Sequence, residues 1–261
     1  MSPEVAVLVS VGRHPVSGRA RRADGDARAV EMALKLCERY GARLRLVHAG
    51  DPAEPALRDY LGMGPSELVV LDLASGFDAL PALSHYLRAS PPRLVLTGGQ
   101  AEQGLGSGQL PYAIADALGY PVVTGIAEIE LGAAHADLCQ ALPRGRRRGL
   151  RVTLPAVISV AQAAAAARQS AFARARRGLI VREAVPDALR VRAPVWPQRP
   201  ARTRLSRTRS PGAAAVDRLR AIREAPISCG QRIEGAHPDE AARAILEYLT
   251  DTGMLRPNPV R

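Results

Sequence analysis

The sequence predicts an α/β fold built on a doubly wound, mostly parallel sheet, and three observations predict it. Short apolar, β-branched runs recur along the first 160 residues, as strands buried on both faces do. Segments with apolar residues at helical spacing separate them, so each strand is followed by a crossover helix. A glycine-dense stretch, Gly98 to Gly108, follows one of these strands directly.

The elements justify the prediction in order. Val5 to Val11 reads as a first strand, closed by Gly12. Asp24 or Asp26 is placed to cap a helix whose Ala29, Val30, Ala33, Leu34 and Cys37 share one face, ending before Gly41. Leu44, Leu46 and Val47 make a second strand. A short helix from Pro55 to Leu61 stops at Gly62-Met63-Gly64 and leads to the strand Leu68 to Leu71. A third helix, Asp78 to Arg88, precedes the strand Arg93 to Thr97. After the glycine-rich stretch a helix runs from Pro111 to Leu118, stops at Gly119, and turns through Tyr120-Pro121 into Val122-Val123. Ile126 to Leu131 and Leu150 to Thr153 read as antiparallel additions, and Leu154 to Val160 as another buried strand. Ala161 to Arg177, polyalanine followed by arginines, predicts a helix with Gly178 as its C-cap. Residues 1–183 thus form a Rossmann-like, nucleotide-binding α/β domain. Residues 184–261 form an extension: a proline- and arginine-rich linker from Pro186 to Gly212, then an amphipathic helix from Pro238 to Leu249.

Composition narrows the function classes. Apolar residues make up 47% and charged ones 23% of the 261 residues, which fits a globular protein, and no apolar run reaches the length of a membrane span. With no basic, apolar leader at Met1, a cytoplasmic location is expected. Cys37, Cys139 and Cys229 are odd in number and far apart, so neither a disulfide framework nor a metal site is expected. No nucleophile, acid or base constellation is visible, so no catalytic residue is assigned. The charge is uneven: 17 arginines against Glu183 and Asp187 between Arg144 and Arg209 give that segment a net +15 in a chain of net +11, leaving the remainder at −4. Only Phe172 and Trp196 interleave those arginines, too few aromatic rings for base stacking, so a docking face is favoured over nucleic acid.

Ligands of doubly wound folds sit outside the carboxyl ends of the strands, where strand order reverses. That directs attention to Gly98-Gly99-Gln100-Ala101 and Gly106-Ser107-Gly108-Gln109-Leu110. Glycines expose successive backbone N–H groups, and the following helix adds a positive dipole end, so the stretch can hold phosphate. It has neither the Lys-Ser/Thr ending of a P-loop nor the spacing of a dinucleotide fingerprint. From pattern alone, a phosphate cradle and a plain glycine connection both stay open.

These residues resemble the β subunit of electron transfer flavoproteins. The loop, its flanking Leu94 to Thr97 strand and Ala115 to Pro121 are similar to that family's Gly-x-Gln-Ala loop and the helix ending Leu-Gly-x-Pro. Asp26-x-x-Ala29-x-Glu31-x-Ala33-Leu34, Leu61-Gly62-Met63-Gly64, Leu154 to Val157 and Ala173 to Arg177 follow in the family's order. The resemblance spans about Val5 to Val181. It implies a non-catalytic carrier paired with an α subunit that holds FAD. An AMP in this chain is implied for most members, a second FAD for electron-bifurcating ones. The implied partners are a flavin-dependent dehydrogenase as donor and a quinone-linked oxidoreductase toward the respiratory chain, with no nucleic acid and no membrane insertion. Carried over by position, the nucleotide contacts are Ser10, Ala23, Asp24, Gly25, Asp26, Ala49 and the loop residues named above.

Three departures stand out. Ala23-Asp24 replaces the family's Asn-Pro, Gln103-Gly104-Leu105-Gly106 replaces its acidic loop centre, and the segment that contacts dehydrogenases is shortened to the alanines before Arg168, with Phe172 the only large apolar residue nearby. The last departure predicts a narrower donor, for example a dehydrogenase for an amine or a methylated glycine, and the altered loop predicts no bifurcation. A universal-stress-type nucleotide-binding regulator is the alternative, and arginine-driven RNA binding a third reading.

Overall fold

A computed structural model describes residues 3–104, 106–194, 235 and 237–251. The chain divides into two units, Met1–Pro197 and Gln198–Arg261. In the first, nine strands form one sheet. β1 (Glu4–Leu8) is an interior strand, fourth from one edge. β4 (Arg43–Gly50), β5 (Glu67–Asp72) and β11 (Leu179–Ala184) extend it on one side, all parallel. On the other side lie β6 (Leu94–Gly98), β10 (Ala156–Val160) and β7 (Val122–Leu131), also parallel, then β8 (His135–Ala141) and β9 (Arg147–Thr153), antiparallel. The chain leaves β1 in one direction for β4 and β5 and returns on the other flank as β6, so strand order reverses beside β1. The doubly wound, mostly parallel sheet is thus as the sequence predicts.

Helices cover both faces. α1 (Asp24–Tyr40) and α2 (Arg58–Leu61) belong to one side, whose core includes Val5, Val7, Leu46, Leu68, Leu96 and Ile158. α3 (Ala79–Ala89) and α4 (Leu110–Leu118) bury Leu83, Leu87, Ile114 and Ala115 with Ala6, Leu8, Val47, Val95 and Val157 on the other. Period-two alternation sends neighbouring residues of each strand to opposite cores. Gly41 and Gly119 end α1 and α4 in the left-handed region that a glycine adopts without strain.

Several expectations need correction. The first strand stops at Leu8, and Val11–Arg13 (β2) instead pairs with Ala20–Arg22 (β3) in a small antiparallel hairpin. Neither Asp24 nor Asp26 caps α1: the N-cap is Ala23, and Asp26 turns into the protein. Val122 to Leu131 is one continuous strand, parallel to β10 along its first part and antiparallel to β8 along its second. β8 and β11 have no counterpart in the sequence reading. Within the expected linker, Asp187–Leu189 forms a 3-10 turn and Arg192 bridges to Phe77; residues 195–212, like Cys229, lie outside the described residues. In the second unit the described helix is α6 (Pro238–Asp251). No helix among the described residues is long and apolar enough to cross a membrane.

The largest correction concerns Ala161 to Arg177. Only Phe172–Arg177 (α5) is helical, although alanine is the strongest helix former. Tertiary bonds hold the alanine stretch off the helix. Arg28 donates to the Ala164 carbonyl (2.7 Å), Arg22 to that of Arg168 (2.9 Å), and the Ala171 N–H to that of Gly62 (3.0 Å). Arg168 grips Glu31 with Nε at 2.7 Å and also reaches Glu38 at 3.1 Å. Burial alone would raise the Glu31 carboxyl, but the Arg168 side chain and backbone hold it below its usual range. The stability this gives is present above the ordinary carboxylate range and is lost as pH falls through the lowered value. Arg168→Ala leaves the buried Glu31 without its counterion, and urea denaturation at pH 7 is expected to show a loss of about 2 kcal/mol, at the weak end for buried pairs because a third of the arginine is exposed. The bidentate grip predicts that Arg168→Lys recovers only part of it.

Candidate functional site

A cavity of about 340 Å³ opens where the strand order reverses. The carboxyl ends of β1, β4 and β6 supply its sheet side, the amino end of α4 its far side, and the turn before α3 its outer wall. Ser10, Asp26, Ala49, Gly98, Gly99, Gln100, Ala101, Gly106, Ser107, Gly108, Gln109 and Leu110 all line it. The fold thus brings together twelve residues drawn from four separate stretches of sequence. Asp24 and Gly25 line a second cleft of about 440 Å³, which shares Gly99, Gln100, Gly108 and Pro111 with the first. Ala23 lines neither: it is buried, and its N–H donates to the Tyr60 hydroxyl at 2.9 Å.

The loop's shape follows from its glycines. Gly106 and Gly108 take positive φ angles of 53° and 68°, and a Cβ on Gly108 would press on the Gly99 carbonyl at 3.1 Å, so the two ends of the loop approach as only glycine permits. The Gln100 side chain donates to the Gly106 carbonyl and the Gln109 N–H to the Ser107 hydroxyl (3.3 Å). Leu105 lies outside the described residues.

Asp26 ties the cavity's sides together. Its carboxylate accepts from the Ser10 N–H (2.7 Å), the Ser10 hydroxyl (2.5 Å) and the Gly98 N–H (3.1 Å), joining the ends of β1 and β6 to the first turn of α1. Burial pushes its pKa up to about 6, against the three donors, which favour the charged form.

Other residues of the site escaped the sequence reading. Glu102, in the loop, accepts from the Asp24 N–H (2.8 Å) and the Arg13 N–H (3.2 Å) and pairs with Arg21 (3.0 Å). Gln103 donates to the Val11 carbonyl (2.9 Å). The centre of the loop is therefore anchored on the β2–β3 hairpin, and a carboxylate of the chain itself already occupies the positive end of α1. His48 lines the cavity with its Nδ1 2.8 Å from the Val9 carbonyl; burial lowers its pKa, so the neutral ring donates that bond. Phe77, Asp78, Ala79 and Leu83 wall the cavity from the α3 side, and Thr97 belongs to its lining while its hydroxyl is buried away from solvent without a hydrogen-bond partner.

This arrangement fits a nucleotide. The half nearest α3 is apolar and suits a flat base. The other half offers glycine backbone, Ser107, the glutamines and the start of α4, which suit a phosphate.

Fold and cavity together define a doubly wound α/β protein with a cleft at its topological switch point. Comparison with known proteins narrows the class. The electron transfer flavoprotein domain matches residues 17–188. The electron transfer flavoprotein subunit beta of Chromohalobacter salexigens is 46% identical over 259 residues, covering 97% of this chain and 96% of that protein. That of Bacillus subtilis is 29% identical over 144 residues, 52% of this chain and 55% of the other. Protein FixA of Rhizobium meliloti is 30% identical over 179 residues, 62% of this chain and 61% of the other. The chain belongs to the electron transfer flavoprotein family, as a β subunit, and its role is electron transfer. This membership displaces the stress-type regulator and the RNA-binding reading.

Proposed function

We propose that this chain is the non-catalytic half of a heterodimeric carrier that takes electrons from one particular dehydrogenase and passes them through a quinone-linked oxidoreductase toward the respiratory chain. The α subunit would hold the FAD, which supplies the redox chemistry when bound. This chain contributes position and docking. Ser10, Asp26, Ala49 and the loop from Gly98 to Leu110 would hold AMP, and residues 184–261 would form the arm that docks on the α subunit. A cytoplasmic location and a single, non-bifurcating flavin complete the reading.

The observation that carries it is the cavity at the switch point, with an apolar half and a glycine-lined half in one pocket. Co-expression with an α subunit, followed by mass spectrometry of the released nucleotides, tests it. One FAD and one AMP per heterodimer is the expected result, and a stable monomer with neither overturns it.

Donor choice rests on the segment stapled by Arg168. It turns at 162–164 and is held off the helix against α1 by Arg28 and Arg168, with Gln162, Ala163, Ala165, Ala166 and Gln169 exposed and small or polar, and it leads to Phe172, which is 79% exposed. Such a surface offers a partner one large apolar anchor beside the arginines of α5, and suits a donor for an amine or methylated glycine with an acidic face. Phe172→Ala is expected to leave stability within about 0.5 kcal/mol, since the ring is solvated. It should raise the KM for the donor dehydrogenase about tenfold or more, as an interface anchor does, with nucleotide content unchanged. Steady-state reduction by the dehydrogenase measures this; an unchanged KM removes Phe172 from the docking surface.

A further inference from the structure

The hairpin that joins β8 to β9 closes through the turn Pro143–Gly145, with the Leu142 N–H donating to the Arg146 carbonyl (2.9 Å). Arg144, Arg146, Arg147 and Arg148 fall within five residues there, and the sequence has no acidic residue between Asp137 and Glu183. Arg151 is neutralised by Asp137 through bonds of 2.7 and 3.0 Å. Arg148 grips a neutral acceptor instead, the Gln140 side-chain oxygen, with Nε at 3.1 Å and Nη2 at 2.8 Å, so its position is fixed and its charge is left over. Arg144, Arg146 and Arg147 are exposed, and their side chains have no ion pair or hydrogen bond among the described residues. Arg144 even stands at a φ of 60°, where a glycine or asparagine is less strained.

Edge protection alone does not account for this cluster. β9 is one edge of the sheet and β11 the other, and charged side chains on edge strands discourage pairing with foreign strands. On β11, Arg182 is paired with Asp72, whereas at the tip of the β8–β9 hairpin four positive charges stand together without a counterion. None of the exposed large apolar side chains of the described residues lies between 141 and 151, so the patch does not have the character of a permanent interface or of a lipid-inserting element. Charge without apolar surface suits a transient, steered encounter, as between redox proteins. Its position favours one encounter. A Cβ on Gly125 of β7 would lie 3.7 Å from the Ala141 carbonyl at the base of the hairpin, and the next residue, Ile126, accepts from the Ala161 N–H at 2.8 Å. The hairpin therefore leaves the sheet beside the start of the segment that leads to Phe172.

We propose that the arginine tip of the β8–β9 hairpin is a steering site for the donor dehydrogenase: it meets an acidic patch on that protein and sets the rate of encounter, while Phe172 sets how long the complex lasts. This rests on the donor-docking reading of the segment stapled by Arg168. Opposite charges raise an association rate at low salt, and ions screen them beyond a Debye length of about 8 Å at 0.15 M.

The test follows reduction of the α/β heterodimer in a stopped-flow instrument, with a flavin-dependent dehydrogenase of a methylated glycine as the probe, at ionic strengths of about 20 and 300 mM. Arg144→Gln/Arg147→Gln is compared with Arg19→Gln/Arg43→Gln, which removes the same charge from exposed positions elsewhere. The tip pair is expected to lower the second-order rate constant about fivefold at low ionic strength and less than about twofold at high, with the rate at saturating dehydrogenase unchanged. The control pair should stay within about twofold of the wild type throughout. Arg144→Lys/Arg147→Lys, which keeps the charge, should keep most of the rate. Wild-type rate constants in the tip pair at both ionic strengths overturn the proposal; if Phe172→Ala still raises the KM, the donor reading stands without it. Equal slowing by the tip and control pairs overturns it as well, since net charge and not this site then acts. Loss of binding to phosphatidylserine vesicles or to a single-stranded RNA in the tip pair, with reduction unaffected, assigns the tip to lipid or nucleic acid and overturns it. A wild-type heterodimer that the dehydrogenase does not reduce removes the donor reading itself, and the steering site with it.

Discussion

Gly98→Ala is expected to cost about 3 kcal/mol or more of stability and to abolish nucleotide binding. A methyl at this position would lie 3.0 Å from both the Asp26 nitrogen and the Gly25 carbonyl carbon, and would fall on the Asp26 carboxylate. The closest neighbour is the Asp26 carboxylate, and the other two are backbone in the first turn of α1, so rotating Asp26 alone leaves the backbone contacts tight. Either β6 and α1 separate or Asp26 turns away. Turning breaks the bond from the Gly98 N–H and loosens the grip on Ser10, leaving a buried carboxylate with fewer donors. In both cases the strand end that leads into the loop moves, and the loop's backbone donors move with it. Chemical denaturation reads the stability loss and calorimetry with AMP the binding loss. A neighbouring control, Gly104→Ala, is strained by its positive φ of 72° but has open space around its Cβ, so it is expected to be much milder. If Gly98→Ala proves as mild as that control, the close contact between β6 and α1 is not what shapes the cleft.

Much of this was legible in the sequence, and the pattern of what was not has a physical basis. The central strands β1, β5, β6 and β10 are apolar because both faces are covered, so each announces itself as a continuous run. Their alternation with amphipathic helices places the cleft at the carboxyl ends of the strands. β8 and most of β9 are half-exposed and rich in polar residues, from His135 to Gln140 and Arg147 to Arg151, so their periodicity is faint. Each arm of the β2–β3 hairpin has only three residues, too few to show a period. Ala161 to Ala171 misled for another reason: its intrinsic preference is real, but bonds from Arg22, Arg28 and Gly62, remote in sequence, override it. The site divides along the same line. Residues next to strand ends were found from their position. Glu102 meets partners 78 to 89 residues away, and Thr97 reads locally as one more strand residue, so only the fold reveals that the first anchors the loop and the second lacks a partner.

Asp26 carries the second large effect, visible as a dependence on pH. Its carboxyl titrates near 6 in the folded protein because burial outweighs the three donors, against about 3.8 when exposed. The folded state therefore binds this proton more tightly than the unfolded state does. Stability contributed at this site is full below about pH 3.8, falls as pH rises through about 6, and is flat above. A difference of roughly two pKa units corresponds to about 3 kcal/mol. Asp26→Asn does not titrate, so it isolates the effect from other groups, including Glu31, whose contribution runs in the opposite direction. The stability of the wild type minus that of Asp26→Asn, measured by urea denaturation from pH 4 to 7.5, is expected to decline by up to that amount and then level off. The absolute sign at pH 7 depends on geometry as well. An asparagine oxygen can accept from Ser10 or from Gly98, but its amide group then faces the remaining N–H, donor against donor. The variant is therefore expected to gain little from losing the buried charge and to hold β1 and β6 less well. A difference that rises with pH across this interval would show that the donors outweigh burial, and that Asp26 is a stable carboxylate throughout. The measured slope thus reports the charge that a phosphate entering the cleft would meet. Above pH 6 that charge is negative, and the loop's N–H groups and the start of α4 must offset it for an anionic ligand to be held.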